Sequence, residues 1–245
     1  MQNPLTLFCL PCAGASAAMY IRWRRLLPSW VKLVPIELPG RGNRMGEFPK
    51  ESYIELTQSL CDELASTLPA QYVLFGHSMG ALLAYGIAQC LCTRQAYPPK
   101  ALLVSGCAAP SHQDSRRYRN IQSDAALIAD LGKQGGTPKE VFGNQEFLAM
   151  TLDLLRMDYR VCGSFEYSQL TPLPIPIHCF AGRSDEINAT KLNDWRLEST
   201  QIFTLDWFDG GHFFLRQSED WFLFMLKKRL LQSHREVPRE AIASA

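Results

Sequence analysis

A mostly parallel β-sheet with helices on both faces is the α/β fold this sequence predicts, and three observations predict it. Short apolar runs alternate with helical patterns along most of the 245 residues, the order that builds βαβ units. Several of those runs end at glycine- or proline-containing turns. One turn, Gly76-His77-Ser78-Met79-Gly80, joins the apolar run Tyr72-Val73-Leu74-Phe75 directly to a helical stretch over residues 81–92, the form of a strand–turn–helix elbow. The length suits one large domain, so residues 1–245 are read as a single unit. Hydrophobic residues make up 47% of the chain, enough to fill a core of that size.

The elements follow in order. Residues 5–10 read as a buried strand, ended by Pro11 and the Gly14 turn. A short helix is expected at 19–27 and a second strand at 31–37, followed by the loop Leu38-Pro39-Gly40-Arg41-Gly42. From 51 to 68 the apolar residues Tyr53, Leu56, Leu60, Leu64 and Leu68 recur at three- and four-residue spacing, which makes an amphipathic helix. The elbow strand (72–76) and its helix come next, then strands at 101–105, 177–181 and 202–207, with a helical segment at 189–198. Residues of about 109–170 break the alternation. They hold helical patterns at 123–131 and 145–159, parted by Gly135-Gly136-Thr137-Pro138. A helical insertion at the end of a sheet where active-site loops gather is expected to form a lid; the plain alternative is a connecting helix pair. Beyond Leu231 the chain turns polar, and residues 238–245 read as a frayed tail.

Twenty-five basic against 24 acidic residues give a formal charge of +1, which argues against nucleic acid or membrane as partner. No run of eighteen apolar residues is present, and Met1-Gln2-Asn3-Pro4 has no basic, signal-like character. A soluble cytoplasmic protein is expected. Of the eight cysteines, Cys9, Cys61, Cys90, Cys107 and Cys179 sit in apolar patterns, as small hydrophobes do. Cys9-Leu10-Pro11-Cys12 has redox spacing and Cys90-Leu91-Cys92 is a second close pair. Neither is joined by a His or Cys group at zinc spacing, so reduced thiols and no metal are expected.

The elbow stands a serine hydroxyl clear of the backbone at the sheet's end. Serine is a poor nucleophile until an adjacent base, itself held by a third group, activates it. In this architecture the chain order is Ser, acid, His. Gly182-Arg183-Ser184-Asp185 follows one strand, and Asp209-Gly210-Gly211-His212-Phe213-Phe214 follows the next. Both loops lie at carboxyl ends of strands, where chemistry gathers in open α/β sheets. Ser78 is read as the nucleophile attacking an acyl carbonyl, His212 as the base, and Asp185 as the carboxylate that fixes the imidazole. Among the rivals, His77 is expected to be a packing residue and His178 a satisfied core histidine, while His112 and His234 lack a motif. Asp206 and Asp209 compete with Asp185 for His212. For the oxyanion, the N–H groups of Met79 and of Ala13, in the loop Pro11-Cys12-Ala13-Gly14, are the candidate donors. The plain alternative for that loop is a Pro/Gly turn.

Leu10-Pro11-Cys12-Ala13-Gly14, Glu37-Leu38-Pro39-Gly40-Arg41-Gly42, Gly76-His77-Ser78-Met79-Gly80, Gly182-Arg183-Ser184-Asp185 and Gly210-Gly211-His212-Phe213-Phe214 together resemble the type II thioesterases. These are stand-alone α/β-hydrolases associated with nonribosomal peptide and polyketide synthases, similar to the medium-chain thioesterases of fatty acid synthesis. The likeness runs over residues of about 5–232. It implies an α/β-hydrolase fold, Ser78, Asp185 and His212 as triad, Met79 and Ala13 as oxyanion donors, and no cofactor. It also implies the substrate, an acyl thioester on the phosphopantetheine arm of a carrier protein, whose hydrolysis clears misprimed or stalled chains. Carrier domains of a synthase would be the partners and the enzyme a monomer. Two departures stand beside the oxyanion loop: the family commonly has a histidine where this chain has Cys12 and a second glycine where it has Ala15.

Arg22, Arg24 and Arg25 beside Trp23 are a possible steering patch for an acidic carrier, or simply a solvated helix face. Leu155, Tyr159 and Phe165 are candidates to line an acyl channel, with ordinary packing as the alternative. Two other functions are weighed: an esterase or acyltransferase working on free small molecules or acyl-CoA, and a hydrolase fold serving as a binding module. Loss of a triad residue would favour the last, and all three are present.

Overall fold

Six strands form one sheet in the order β2-β1-β3-β4-β5-β6: β1 (Leu5–Leu10), β2 (Val31–Pro35), β3 (Tyr72–His77), β4 (Leu102–Ser105), β5 (Ile177–Gly182) and β6 (Phe203–Phe208). Every neighbouring pair is parallel. The computed structural model describes residues 4–94 and 97–235, so the expected tail at 238–245 lies outside the described residues.

The strands are apolar on both sides, which is why both sides are covered. In β3, Tyr72 and Leu74 join one buried cluster, and Val73 and Phe75 join the other. The first cluster takes in α1 (Tyr53–Ala65) and α2 (Met79–Thr93). Ser52 caps α1 by accepting the Glu55 N–H, and the predicted stripe Tyr53, Leu56, Leu60 and Leu64 is buried; the helix stops before Leu68. On the opposite face lie a 3₁₀ segment, Ala17–Arg25, in place of the expected helix at 19–27, and the carboxyl-terminal helix described below. There Trp23, Phe75, Phe180, Phe208 and Phe222 form a continuous aromatic group with ring centroids 5.5–6.1 Å apart.

Between β4 and β5 the described residues hold four helices rather than the two expected: α3 (Ser115–Asn120), α4 (Asp124–Gln134), α5 (Lys139–Phe142) and α6 (Gln145–Gly163). Ser123 and Asn144 cap α4 and α6, as short polar side chains do. Gly135 ends α4 at φ 72°, the left-handed conformation that glycine takes without strain. This insertion has a small core of its own, Leu127, Leu131, Leu152, Leu155 and Tyr159. Past β5, the expected helix at 189–198 divides into α7 (Ala189–Asn193) and a 3₁₀ turn, Asp194–Glu198. After β6 come α8 (Phe214–Gln217) and α9 (Glu219–Arg235), the latter unassigned by the sequence reading.

One expectation about cysteine is corrected. Cys61 on α1 and Cys90 on α2 are joined as a disulfide, with Cα atoms 6.5 Å apart, because the packing of these two helices brings both thiols to one point. Cys9, Cys12, Cys92, Cys107, Cys162 and Cys179 are free.

Candidate active site

Ser78 sits between β3 and α2 at φ 55°, ψ −121°, where a non-glycine residue is strained. Among the described residues it is the one non-glycine with positive φ. The turn's tightness accounts for its glycines: a Cβ on Gly76 would strike the Gly80 carbonyl, and one on Gly80 would strike the carbonyls of Leu10 and Pro11. The second contact also brings the end of β1, and with it the Ala13 loop, against the start of α2. Met79 is the first residue of α2, so its N–H is among those left free at a helix start.

Asp185 and His212 follow β5 and β6, neighbouring strands, and their loops are stitched together. Arg183 N–H donates to the Phe208 carbonyl at 2.8 Å, and Ser184 N–H to that of Gly210 at 2.9 Å. Gly211 N–H donates to Gln217 Oε1 at 2.8 Å, which fixes the turn that presents His212. The result is a bond of 2.9 Å between His212 Nδ1 and Asp185 Oδ2, with side-chain exposures of 14% and 7%. A carboxylate only accepts, so Nδ1 carries the proton and the neutral ring keeps its lone pair on Nε2. The second Asp185 oxygen accepts the Glu186 N–H at 2.7 Å.

The rivals for His212 are engaged elsewhere. Asp206 takes a two-pronged ion pair from Arg229 at 2.8 and 2.9 Å, and Asp209 lies 3.4 Å from Arg183. His77, fully buried, bonds Ser105 Oγ at 3.0 Å and lies with its ring centroid 5.0 Å from that of His212. Burial, and then the nearby His212 and Arg216, hold His77 well below the ordinary histidine range. It is therefore a neutral packing residue beside His212. His178 is a core histidine bonded to Thr204 at 2.8 Å, and burial lowers it to about 4. His112 pairs with Asp194 at 2.6 Å, and His234 stacks on Trp30.

Among the described residues no hydrogen bond joins Ser78 Oγ to His212. Ser78 directly follows His77, whose ring centroid lies 5.0 Å from that of His212, and such bonds often tighten only once substrate is bound.

A cavity of about 220 Å³ lies between the Ala13 loop, Phe213 and the insertion, lined among others by Cys12, Leu131, Thr137 and Leu155. Of the expected channel residues only Leu155 reaches it. Tyr159 is buried in the insertion's core with its hydroxyl on Asp130, and Phe165 packs edge-on against Tyr53. Burial pushes the Cys12 thiol up to about 12, leaving it unreactive. The sequence reading passed over Phe213 and Gly136, which meet so closely that a Cβ on Gly136 would overlap the Phe213 ring. The neighbouring Gly-Gly punctuation was the visible signal. Trp23 is core rather than surface, and Arg22 is taken up by Glu219 at 2.9 Å. No group of three His, Cys, Asp or Glu that could hold a metal ion occurs among the described residues.

Residues 5–229 match the family model of the thioesterase domain. The chain is 31% identical over 226 residues to the gramicidin S biosynthesis protein GrsT of Aneurinibacillus migulanus, covering 91% of this chain and 88% of that protein. Among solved structures it resembles RedJ, the thioesterase of the prodiginine pathway of Streptomyces coelicolor. The TM-score is 0.87 at 35% identity, over 92% of this chain and 90% of that one. It also resembles BorB, the type II thioesterase of the borrelidin cluster, with a TM-score of 0.85 at 34% identity over 94% of each chain.

Proposed function

The chain belongs to the thioesterase family and is a serine thioester hydrolase of the type II kind, and from this we propose which acyl thioesters it cleaves and with which residues. The substrate is an acyl group on the phosphopantetheine arm of a synthase carrier domain, and the role is removal of misprimed or stalled chains. Relatives named for gramicidin S, prodiginine and borrelidin biosynthesis support that setting.

The observation that carries the assignment of residues is the His212–Asp185 bond of 2.9 Å, formed at the sheet end where Ser78 stands on its strained turn. Ser78 Oγ adds to the thioester carbonyl as its proton passes to His212 Nε2. The oxyanion takes N–H bonds from Met79 and Ala13. When the C–S bond breaks, the imidazolium returns that proton to the departing pantetheine thiol. Water then repeats the sequence on the acyl-serine, giving free acid and the original hydroxyl. Asp185 stays ionised and steadies the imidazolium. No cofactor of the enzyme's own enters; the pantetheine arm belongs to the partner.

The cavity of about 220 Å³ lies below the range of drug-sized pockets, about 300–1,000 Å³, and suits short acyl groups. Helices α3–α6 form the lid in this reading, over a single domain acting as a monomer. No described helix is long and apolar enough to cross a membrane. The test offers a carrier protein loaded with several acyl groups and follows their release by mass spectrometry. Release by the parent and none by Ser78→Ala is expected; equal release by both refutes the assignment. A kcat/KM no higher on carrier thioesters than on free esters or acyl-CoA would move the substrate to small molecules.

A further inference from the structure

The Leu38-Pro39-Gly40-Arg41-Gly42 loop takes no part in the chemistry above, yet its arginine is buried beside it. Arg41 and Asp158, on α6, have side-chain exposures of 4% and 2% and meet in a two-pronged bond of 2.7 and 2.5 Å. The pair reaches the Ala13 loop from both sides. Asp158 Oδ2 accepts the Gly14 N–H at 2.7 Å, and the Arg41 nitrogen bonded to that same oxygen also donates to the Ala15 carbonyl at 2.9 Å. Glu37, from the same segment, accepts the Ala17 N–H at 3.0 Å.

A buried ion pair is a weak source of stability, because desolvation offsets much of its attraction. What it supplies is direction: a rigid fork with fixed bond angles. Here the fork clamps the peptides just after Ala13, in a turn where Gly14 stands at φ 72° and Ala15 N–H donates to the Cys12 carbonyl at 3.1 Å.

We infer that Arg41 and Asp158 are positioning residues for thioester hydrolysis, holding the Gly14 and Ala15 peptides so that the Ala13 N–H stays aimed at the developing oxyanion. The inference rests on the proposed role of Ala13. It also ties the insertion to the chemistry, since Asp158 belongs to α6: the oxyanion loop is complete only while that helix is seated.

The test measures kcat and KM separately on an acyl-carrier thioester for the full chain. Replacing the pair by apolar residues, Arg41→Met with Asp158→Leu, can preserve the fold but strips the Gly14 N–H of its acceptor. A melting temperature within a few degrees of the parent, a kcat lower by roughly 10²-fold and a KM changed less than about threefold are expected. Asp158→Asn, which keeps an acceptor for that N–H, should recover part of the lost kcat. A folded apolar pair that keeps kcat within about threefold overturns the inference. Should the pair not fold, Asp158→Asn decides: kcat and hydrogen exchange at the Gly14 amide that change together, or stay together, support the inference, whereas faster exchange with an unchanged kcat, or a lowered kcat with unchanged exchange, overturns it. Ser78→Ala is run in parallel. Full activity there would sink the hydrolytic reading itself, whereas dependence on Ser78 without dependence on the clamp sinks the inference alone.

Discussion

The sheet and the α3–α6 insertion are held by different forces. Beneath and above the sheet, two large apolar clusters join strands to helices, so stability there scales with area removed from water. The insertion has five buried apolar side chains in its own core, joins the sheet's cluster through Val161, Cys162 and Phe165, and carries many charged fastenings besides. Arg117 and Tyr159 meet on Asp130, Arg156 on Asp124 and Asp153, Arg160 on Glu51, Lys133 on Glu186 and Arg41 on Asp158. The contrast places the proposed chemistry on an apolar scaffold and sets beside it an insertion held by more polar fastenings.

The largest effect that could test this division is chemical. Ser78→Ala should lower kcat by on the order of 10⁴-fold or more while the thermal midpoint moves little, because only the sheet-borne chemistry is removed. Next comes the apolar scaffold. Phe222→Ala, in the fully buried aromatic group, should cost about 3–5 kcal/mol in urea unfolding. Leu127→Ala, equally buried but in the insertion, should instead speed protease cleavage within 109–170 with a smaller global loss. Equal global losses from the two would show that scaffold and insertion unfold as one.

The third effect depends on pH. His178 is held neutral down to about 4, first by burial and then by Arg229, with Asp206 opposing. The unfolded chain protonates that histidine near 6.5 while the folded chain does not, so stability falls as pH drops from about 6.5 to 4 and levels off below. The loss reaches roughly 3 kcal/mol, and His77 acts in the same direction. His178→Gln should flatten the urea midpoint across that window; an unaltered slope would show that His178 is not the source of the acid sensitivity. The smallest effect is on a fastening. Arg156→Ala should cost under about 1 kcal/mol and lose that difference in about 0.5 M salt, read as protease sensitivity of the insertion.

What could be read in the sequence follows the same line. The elbow and the loops of Asp185 and His212 are written locally, in glycines beside strand ends, so their order along the chain was legible. Helix α9 was not, because Trp221 and Phe224, 52% and 56% exposed, stack on each other outside the core and blur its apolar stripe. Nor was the Cys61–Cys90 bond, 29 positions apart, or the Arg41–Asp158 clamp, 117 positions apart. Each joins elements that are neighbours only once the helices have packed. The insertion's two longer helices were legible from their helical pattern and the Gly/Pro punctuation between them, its short ones lacking the turns needed to show a period.

The contact between Gly136 and Phe213 has a consequence for chain length. Gly136 lies so flat on that ring that not even a methyl group fits between them, and the ring belongs to the residue beside His212. On the proposed function, an acyl tail that outgrew the pocket would press on a wall backed by the Gly136 loop, which Arg216 holds by donating to the Gly136 carbonyl at 2.9 Å. Size selection would then be work against the seating of that loop on the ring, graded with each added carbon.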